Sequence, residues 1–355
     1  MQSARLISDS KQVDVAWLDD VLKRSGALGV GQVNGFDLTC SESLNASIAR
    51  IHVDYKSGSV GPQPRFLLLK ICKNEAWFLR DSEFHYYTRD YVDLKDPPVP
   101  TCYDAASSYA GYHILMDDLS ATHQPNASVT LKNGIGAADA LADLHAHMWG
   151  PERLRAFGYA LPDQRNIDRY IRHVEPGLSP MLAAVQGDIG VEWRKALGDV
   201  FANHPAKLAE RSRDPVGFTI VHGDTNPGNI LTPRDGTGRV FLVDRQPFRW
   251  SLTTWLAVSD IAYMMVHWWD SNARRTLEDS VLREYHRRIV QHGITDYDWV
   301  QLVHDYRLCA VQSLYVPIMR CVLKESREKM KWVWFPQLQK AMTAFFDLRC
   351  SELWR

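Results

Sequence analysis

One run of sequence constrains this chain more than any other. Val221-His222-Gly223-Asp224-Thr225-Asn226-Pro227-Gly228-Asn229-Ile230-Leu231, then Phe241-Leu242-Val243-Asp244-Arg245-Gln246, reads as a turn-rich loop leading to a short apolar strand that ends in a carboxylate. Gly223, Pro227 and Gly228 let the backbone turn tightly between Asp224 and Asn229. Two carboxylates and an amide are hard oxygen ligands of the kind magnesium takes, usually one or two from protein and the rest from phosphates and water. An isolated Asp-x-x-x-x-Asn is as well explained by side chains capping a turn. The His-Gly before it and the apolar strand ending in Asp244 shift the reading to a functional loop.

The surrounding pattern divides in two. Residues 11–28 are predicted to form an amphipathic helix with Val13, Val15, Trp17, Leu18, Val21 and Leu22 apolar. Strands are predicted at 47–55 and 65–71, separated by a turn at 56–62, and at 112–116. A helix carrying Glu83, Phe84, Tyr86 and Tyr87 precedes the breakers Pro97, Pro98 and Pro100. From about residue 130 the period turns helical, over 136–149, 165–175, 190–210, 277–292 and 298–323, interrupted by short strands flanking Asp244. The expected class is therefore α+β, with a sheet-rich lobe at 1–116, a hinge at 117–120 and a helical lobe at 121–355.

Composition narrows the function. A net charge of -1 gives no electrostatic case for nucleic acid. No apolar run approaches the ~18–20 residues that span a bilayer, and the first ten residues become acidic too soon for a signal peptide. Six scattered cysteines without a C-x-x-C pair argue against zinc and disulfides and suit a reducing cytoplasm. Twelve Trp, many of them late in the chain, are core material that also offers walls for an apolar acceptor. Nothing in the sequence fixes the oligomeric state.

The oxygen ligands fit phosphoryl transfer. Kinases place an Asp where it orients a substrate hydroxyl and accepts its proton, and an Asn and a second Asp where they hold magnesium on a nucleotide's phosphates. Asp224, Asn229 and Asp244 are the candidates for those roles. Lys70, inside Phe66-Leu67-Leu68-Leu69-Lys70-Ile71, must find an anionic partner or reach water, and a phosphate or a carboxylate would serve. Glu83 is the candidate carboxylate. Helix phase does not separate it from Glu75, but Phe84, Tyr86 and Tyr87 favour Glu83. No G-x-G-x-x-G is present. Ser41 to Ala46, with Ser43 central, is the candidate phosphate-covering loop, an ordinary hairpin loop being the alternative. His222 reads as internal scaffolding.

These residues resemble a known family. His222-Gly223-Asp224 with Asn229 and Val243-Asp244 looks like the Brenner-type motif of aminoglycoside phosphotransferases and choline kinases. Ala140 to Ala146 is similar to the Leu-His-Ala helix of those enzymes, and Ser259-Asp260-Ile261-Ala262-Tyr263 to the helix start that follows their metal-binding strand. Ile114 to Leu119 resembles their hinge, which implies that Met116, Asp117 and Leu119 meet adenine. Lys70-Ile71 and Glu83 to Tyr87 bring the ecdysteroid-kinase-like branch nearest. The resemblance covers roughly residues 30–270. It implies a two-lobed protein-kinase-like fold using ATP and Mg2+. Arg245 departs from the aromatic common in relatives, and the phosphate loop lacks their glycines. Arg245 is open to two readings, a salt bridge within the lobe or an approach to an anion.

Between Asp244 and the helix near Ser259 there is little room for a peptide platform, so a small hydroxylated acceptor is expected. Its surface should come from 250–270 and 298–336. A polycationic aminoglycoside, as in an antibiotic-resistance kinase, would need an acidic pocket, for which Asp260, Asp270, Asp296, Asp298 and Asp305 are candidates. A kinase-like binding module without turnover would not need the complete set of Lys70, Asp224, Asn229 and Asp244. A hydrolase using Asp224 and His222 would leave Lys70 and Asn229 without a role.

Overall fold

The computed structural model describes residues 5–42, 46–73, 82–109, 111–247 and 251–354. They form two compact units, Met1–Gln124 with Thr232–Gln246, and Pro125–Leu231 with Pro247–Arg355.

The first unit is built on an antiparallel sheet of β1 (Val33–Glu42), β2 (Ala46–Tyr55), β3 (Phe66–Lys73), β4 (Cys102–Ser108) and β5 (Gly111–Asp117). The spatial order is β1-β2-β3-β5-β4, so β3 is central. Alternation along β3 decides which residues meet which face. Leu67, Leu69 and Ile71 enter a core with Trp17, Leu18, Val21 and Leu22 of α1 (Val15–Arg24). Lys70 takes the opposite parity, opposed by Ile48 on β2 and Ile114 on β5. The predicted helix at 11–28 is shorter because Asp14 caps it, accepting the Trp17 N–H at 2.7 Å, and because Gly26 turns left-handed after its end. Strand β4 was not legible. Cys102-Tyr103-Asp104-Ala105-Ala106-Ser107-Ser108 lacks branched residues and pairs by position in the sheet.

The sequence boundary at 117–120 and these units divide the chain differently. Residues 121–124 and 232–246, expected in the helical region, belong to the first unit. Gln124 and His123 pair with Thr232 and Pro233, and the Leu242 N–H bonds to the Pro98 carbonyl at 2.8 Å. Asp244 is thereby delivered to the sheet-rich unit.

The second unit is helical. Its α2 (Leu131–His147) starts earlier than the apolar pattern, because Thr130 caps it on the Asn133 N–H at 3.2 Å. Gly134 gives α2 close packing, since a Cβ there would lie 2.9 Å from Trp269 and from Val281 of the helix Ser271–Gln291. The helix predicted over 298–323 is two helices, Trp299–Gln312 and Tyr315–Arg320. Pro317 has no N–H to continue the first into the second. The helix Lys331–Asp347 was not anticipated, its Trp- and Phe-rich start lacking a clear polar face. Phe218–Ile220 pairs antiparallel with Thr254–Leu256 and supports the loop that begins at Val221. Among the described residues no helix is long and apolar enough to cross a membrane. All six cysteines are free.

Candidate active site

In the first unit, three of the sequence candidates meet. Lys70 Nζ donates to Glu83 Oε1 at 2.6 Å and is bonded to Asp244 Oδ1. The lysine and Glu83 side chains are 8% and 0% exposed, whereas that of Asp244 is 36% exposed, so the pair is internal and Asp244 is its open end. Burial pulls Lys70 toward the neutral amine, but Glu83 and Asp244 outweigh it and hold the proton well above the ordinary lysine range. Burial, with Asp244 adding to it and Lys70 opposing it, pushes the Glu83 carboxyl up to about 7. Tyr112 hydroxyl and Gln246 Nε2 (3.2 Å) also bond to Glu83 Oε2, and Gln246 Nε2 donates to Asp244 Oδ1 at 3.0 Å.

Backbone fixes Asp244. The Tyr86 hydroxyl donates to the Leu242 carbonyl at 3.0 Å, and the Asp244 N–H to the Tyr87 hydroxyl at 3.3 Å. Both tyrosines lie on the π-helical turn Tyr86–Asp90. Asp244 has φ +65°, a conformation rare for a residue with a Cβ and tolerated best by Asp and Asn. Arg245 is buried, with Nη1 3.5 Å from the Ser82 carbonyl and 4.0 Å from Asp90, which is the internal pairing among its two readings.

The remaining candidates of this unit are placed as follows. Met116 is buried at the end of β5, between Leu68 and Cys102. Asp117 accepts the Tyr103 hydroxyl at 2.6 Å, and the Leu119 carbonyl accepts the Thr122 and His123 N–H groups at 3.0 and 2.8 Å. Ser43 and Glu75 lie outside the described residues.

In the second unit, Asp224 is held on both oxygens. Asn229 Nδ2 donates to Asp224 Oδ2 at 3.1 Å and to its carbonyl at 2.9 Å, and the Tyr263 hydroxyl donates to Oδ1 at 3.2 Å. Asn226 Oδ1 accepts the Gly228 N–H at 2.8 Å, which closes the turn. Asp260 ties down the start of the loop, accepting the His222 N–H at 2.6 Å and the Gly223 N–H at 2.8 Å. His145 Nε2 lies 3.0 Å from Asp260 Oδ2 and its Nδ1 2.8 Å from the Tyr285 hydroxyl. The Nε2–H tautomer satisfies both contacts. Burial works against the Asp260 charge, yet His145, His222 and the Gly223 N–H hold its carboxyl below the usual range. His222 is buried and engaged through its backbone, as scaffolding requires.

The sequence reading gave no role to Gln246 or Tyr263, and it offered Asp260 only for an acidic pocket, not as the partner of this loop. Gln246 sits two residues past Asp244, and Asp260 and Tyr263 fall one helical turn apart, which is the only local signal they carry. Four of the five acidic-pocket candidates have partners of their own. Asp260 is used by the loop, Asp305 by Arg211 at 2.7 Å, and Asp270 and Asp298 as helix caps.

The donor set can be tested for a divalent ion. Among the described residues no three His, Cys, Asp or Glu side chains group as a metal cage. An ion shared with phosphates needs only one or two protein oxygens, and the partly exposed Asp244 carboxylate and the Asn229 amide oxygen are of the right hard type. Each of these two side chains, taken by itself, is therefore a donor that suits magnesium held with a polyphosphate.

Comparison with known proteins adds the following. The profile of the family described as "APH: Phosphotransferase enzyme family" matches residues 59–303, well over half of the chain. No curated protein matches. Among solved structures, a variant of aminoglycoside 2'-phosphotransferase-IIIa in complex with GDP is similar at 12% identity, covering 96% of this chain and 98% of that one, with a TM-score of 0.51. Aminoglycoside-3'-phosphotransferase of type VIII is similar at 20% identity over 78% of this chain and 93% of that one, with a TM-score of 0.43. Spectinomycin phosphotransferase with ADP and its antibiotic bound gives 12% identity, coverage of 96% and 99%, and a TM-score of 0.44. The chain has an α+β kinase-like fold, sheet-rich in its first unit and helical in its second, and shares that fold with the aminoglycoside 2'-phosphotransferase-IIIa variant.

Proposed function

This chain belongs to the phosphotransferase enzyme family, and from that premise we propose that it moves the γ-phosphoryl group of ATP to a hydroxyl of a small molecule. The observation that carries the reading is the buried Lys70–Glu83 pair open to solvent at Asp244. A lysine with its proton locked on, at the edge of a carboxylate, is placed to neutralise a phosphate.

Lys70 contacts the nucleotide phosphates, and Glu83 orients it. Backbone groups of the segment Met116 to Leu119 meet the base. Asp244 and Asn229 are the residues that would hold magnesium, which when bound would supply charge neutralisation on the phosphates. Asp224 takes the acceptor's hydroxyl proton. Its side chain enters the reaction already oriented, since Asn229 and Tyr263 fix both oxygens. Most of the acceleration comes from such positioning and from charge stabilisation. The complete set of Lys70, Asp224, Asn229 and Asp244 favours turnover over a binding module, and a hydrolase reading leaves the Lys70 pair unused.

The acceptor reading favours a small hydroxylated molecule that is not a polycation, in keeping with the resemblance to the ecdysteroid-kinase-like branch. An aminoglycoside acceptor would want an acidic cluster, and Asp260, Asp270, Asp298 and Asp305 are committed elsewhere. The test is a magnesium-dependent ATP-consumption screen over amino sugars, choline-like alcohols, nucleosides, sterols and hydroxy acids, with mass spectrometry of the products. A phosphorylated alcohol supports the reading. ATP consumption that yields only inorganic phosphate with every compound contradicts it.

A further inference from the structure

Tyr263–Trp268 winds as a π-helix, a form that recurs at functional sites. Its first residue touches Asp224 through the Tyr263 hydroxyl at 3.2 Å. One turn later His267 places its ring 4.8 Å from that of Tyr263. His267 is 1% exposed, yet among the described residues neither ring nitrogen has a hydrogen-bond partner. On the helix Lys331–Asp347, Lys340 donates to the Trp268 carbonyl at 3.2 Å. One turn before it, Gln337 is 3% exposed, with neither amide atom partnered among the described residues. A buried polar atom left unpaired carries the full cost of its lost hydration, so a side chain with two of them asks for a polar occupant.

Two cations, Arg320 and Lys340, lie near this turn alongside the Asp224 and Asp270 carboxylates. Among the described residues neither Arg320 nor Lys340 has a carboxylate within ion-pair distance, and Arg320 Nε has no partner. After burial, the positive fields of Arg320 and Lys340 are what keep His267 neutral, its pKa brought down to about 3. Asp270 is the acidic group whose field reaches Lys340, and its carboxylate caps the following helix through the Asn272 N–H at 2.9 Å. The turn beside Asp224 therefore offers two cations and neutral donors and acceptors.

We infer that Tyr263, His267, Gln337, Arg320 and Lys340 form the acceptor subsite next to Asp224, and that it takes a hydroxylated molecule bearing an anionic group, a carboxylate or phosphate, and rejects polyamines. The inference rests on the phosphotransferase reading above and names its substrate class. In the transfer, the acceptor oxygen forms a bond to the γ-phosphorus of ATP and the bond from that phosphorus to the β-phosphate oxygen breaks. The hydroxyl proton goes to Asp224 and ADP leaves.

The experiment uses the full chain and its Arg320→Gln and Lys340→Gln variants, with thermal melts to confirm folding. ADP with magnesium is bound first and its affinity measured. Inorganic phosphate is then titrated calorimetrically at constant ionic strength. Magnesium-ATP consumption is followed in parallel with hydroxy acids and with the matching hydroxy amines. The expected result is saturable phosphate binding, weakened ~tenfold in each variant with ADP affinity unchanged, and faster consumption with the acids, whose KM rises in the variants. Equal phosphate binding by all three proteins at intact ADP affinity, or preference for the amines, overturns the subsite alone. Failure of the wild type to bind ADP overturns the phosphotransferase reading and the subsite with it.

Discussion

At the scale of single residues, the Lys70–Glu83–Asp244 cluster is where electrostatics and function overlap. Removing one partner of a buried ion pair leaves the other uncompensated, at a cost of ~3–5 kcal/mol. Glu83→Ala should therefore destabilise the protein by an amount in that range, less whatever Asp244 recovers, as read by urea unfolding. Adding Lys70→Met to Glu83→Leu should recover much of the loss, because the buried charge goes with its partner. Additive losses in that cycle would show that the two residues do not act as a pair. His204 supplies a cleaner pH prediction. It is fully buried, with Nδ1 2.9 Å from the Tyr315 hydroxyl and Nε2 3.0 Å from the Leu308 carbonyl, and burial brings its pKa from 6.5 to about 3. A histidine pKa lowered by folding stabilises the protein above 6.5 and loses that contribution as the pH falls toward 3. Between pH 6.5 and 5, His204→Phe should flatten the decline of stability with acid by up to roughly 1.4 kcal/mol per pH unit, on the linkage of one proton. An unchanged slope would mean that His204 is protonated in the folded state.

At the scale of elements, the loop Val221–Leu231 works because its backbone is fixed from outside itself. Asp260 holds two of its N–H groups, and Gly223 sits at φ +77° where a Cβ would lie 2.7 Å from Pro247. Gly223→Ala meets both the left-handed penalty and the clash, worth ~1–3 kcal/mol together. It should lower kcat ~10–100-fold with ADP affinity little changed, as steady-state kinetics and calorimetry would read. Wild-type kcat in that variant would show that the loop tolerates movement and that Asp224 needs no such fixing. The motif residues of this loop were legible because Gly, Pro, Asp and Asn carry strong turn chemistry. Asp260, Tyr263 and Gln246 were not, since each acts through a partner distant in sequence or through a side-chain direction that spacing does not reveal. Strand β4 and the helix Lys331–Asp347 were missed for a related reason, their residues being chosen by neighbours in the fold rather than by a clear period of their own.

At the scale of the whole molecule, the sheet-then-helix order announced the α+β class, and the placement of Lys70 within an apolar strand announced its need for a partner. What the linear order hid is that Thr232–Gln246 returns to the first unit, carrying Asp244 to Lys70. A long-range pairing of this kind leaves no periodic trace. Magnesium-ADP should raise Tm in proportion to the logarithm of its concentration above Kd, by linkage to the folded state. A Tm independent of the nucleotide at every magnesium concentration would mean that the Lys70 cluster grips nothing. The account rests on a division of labour between Asp244 and Asp224, and one calorimetric titration of ADP with and without magnesium tests it on the wild type, Asp244→Ala and Asp224→Ala. The predicted result is magnesium-strengthened binding in the wild type and in Asp224→Ala, and its loss in Asp244→Ala. Equal metal dependence in all three proteins, or none in the wild type, would contradict it.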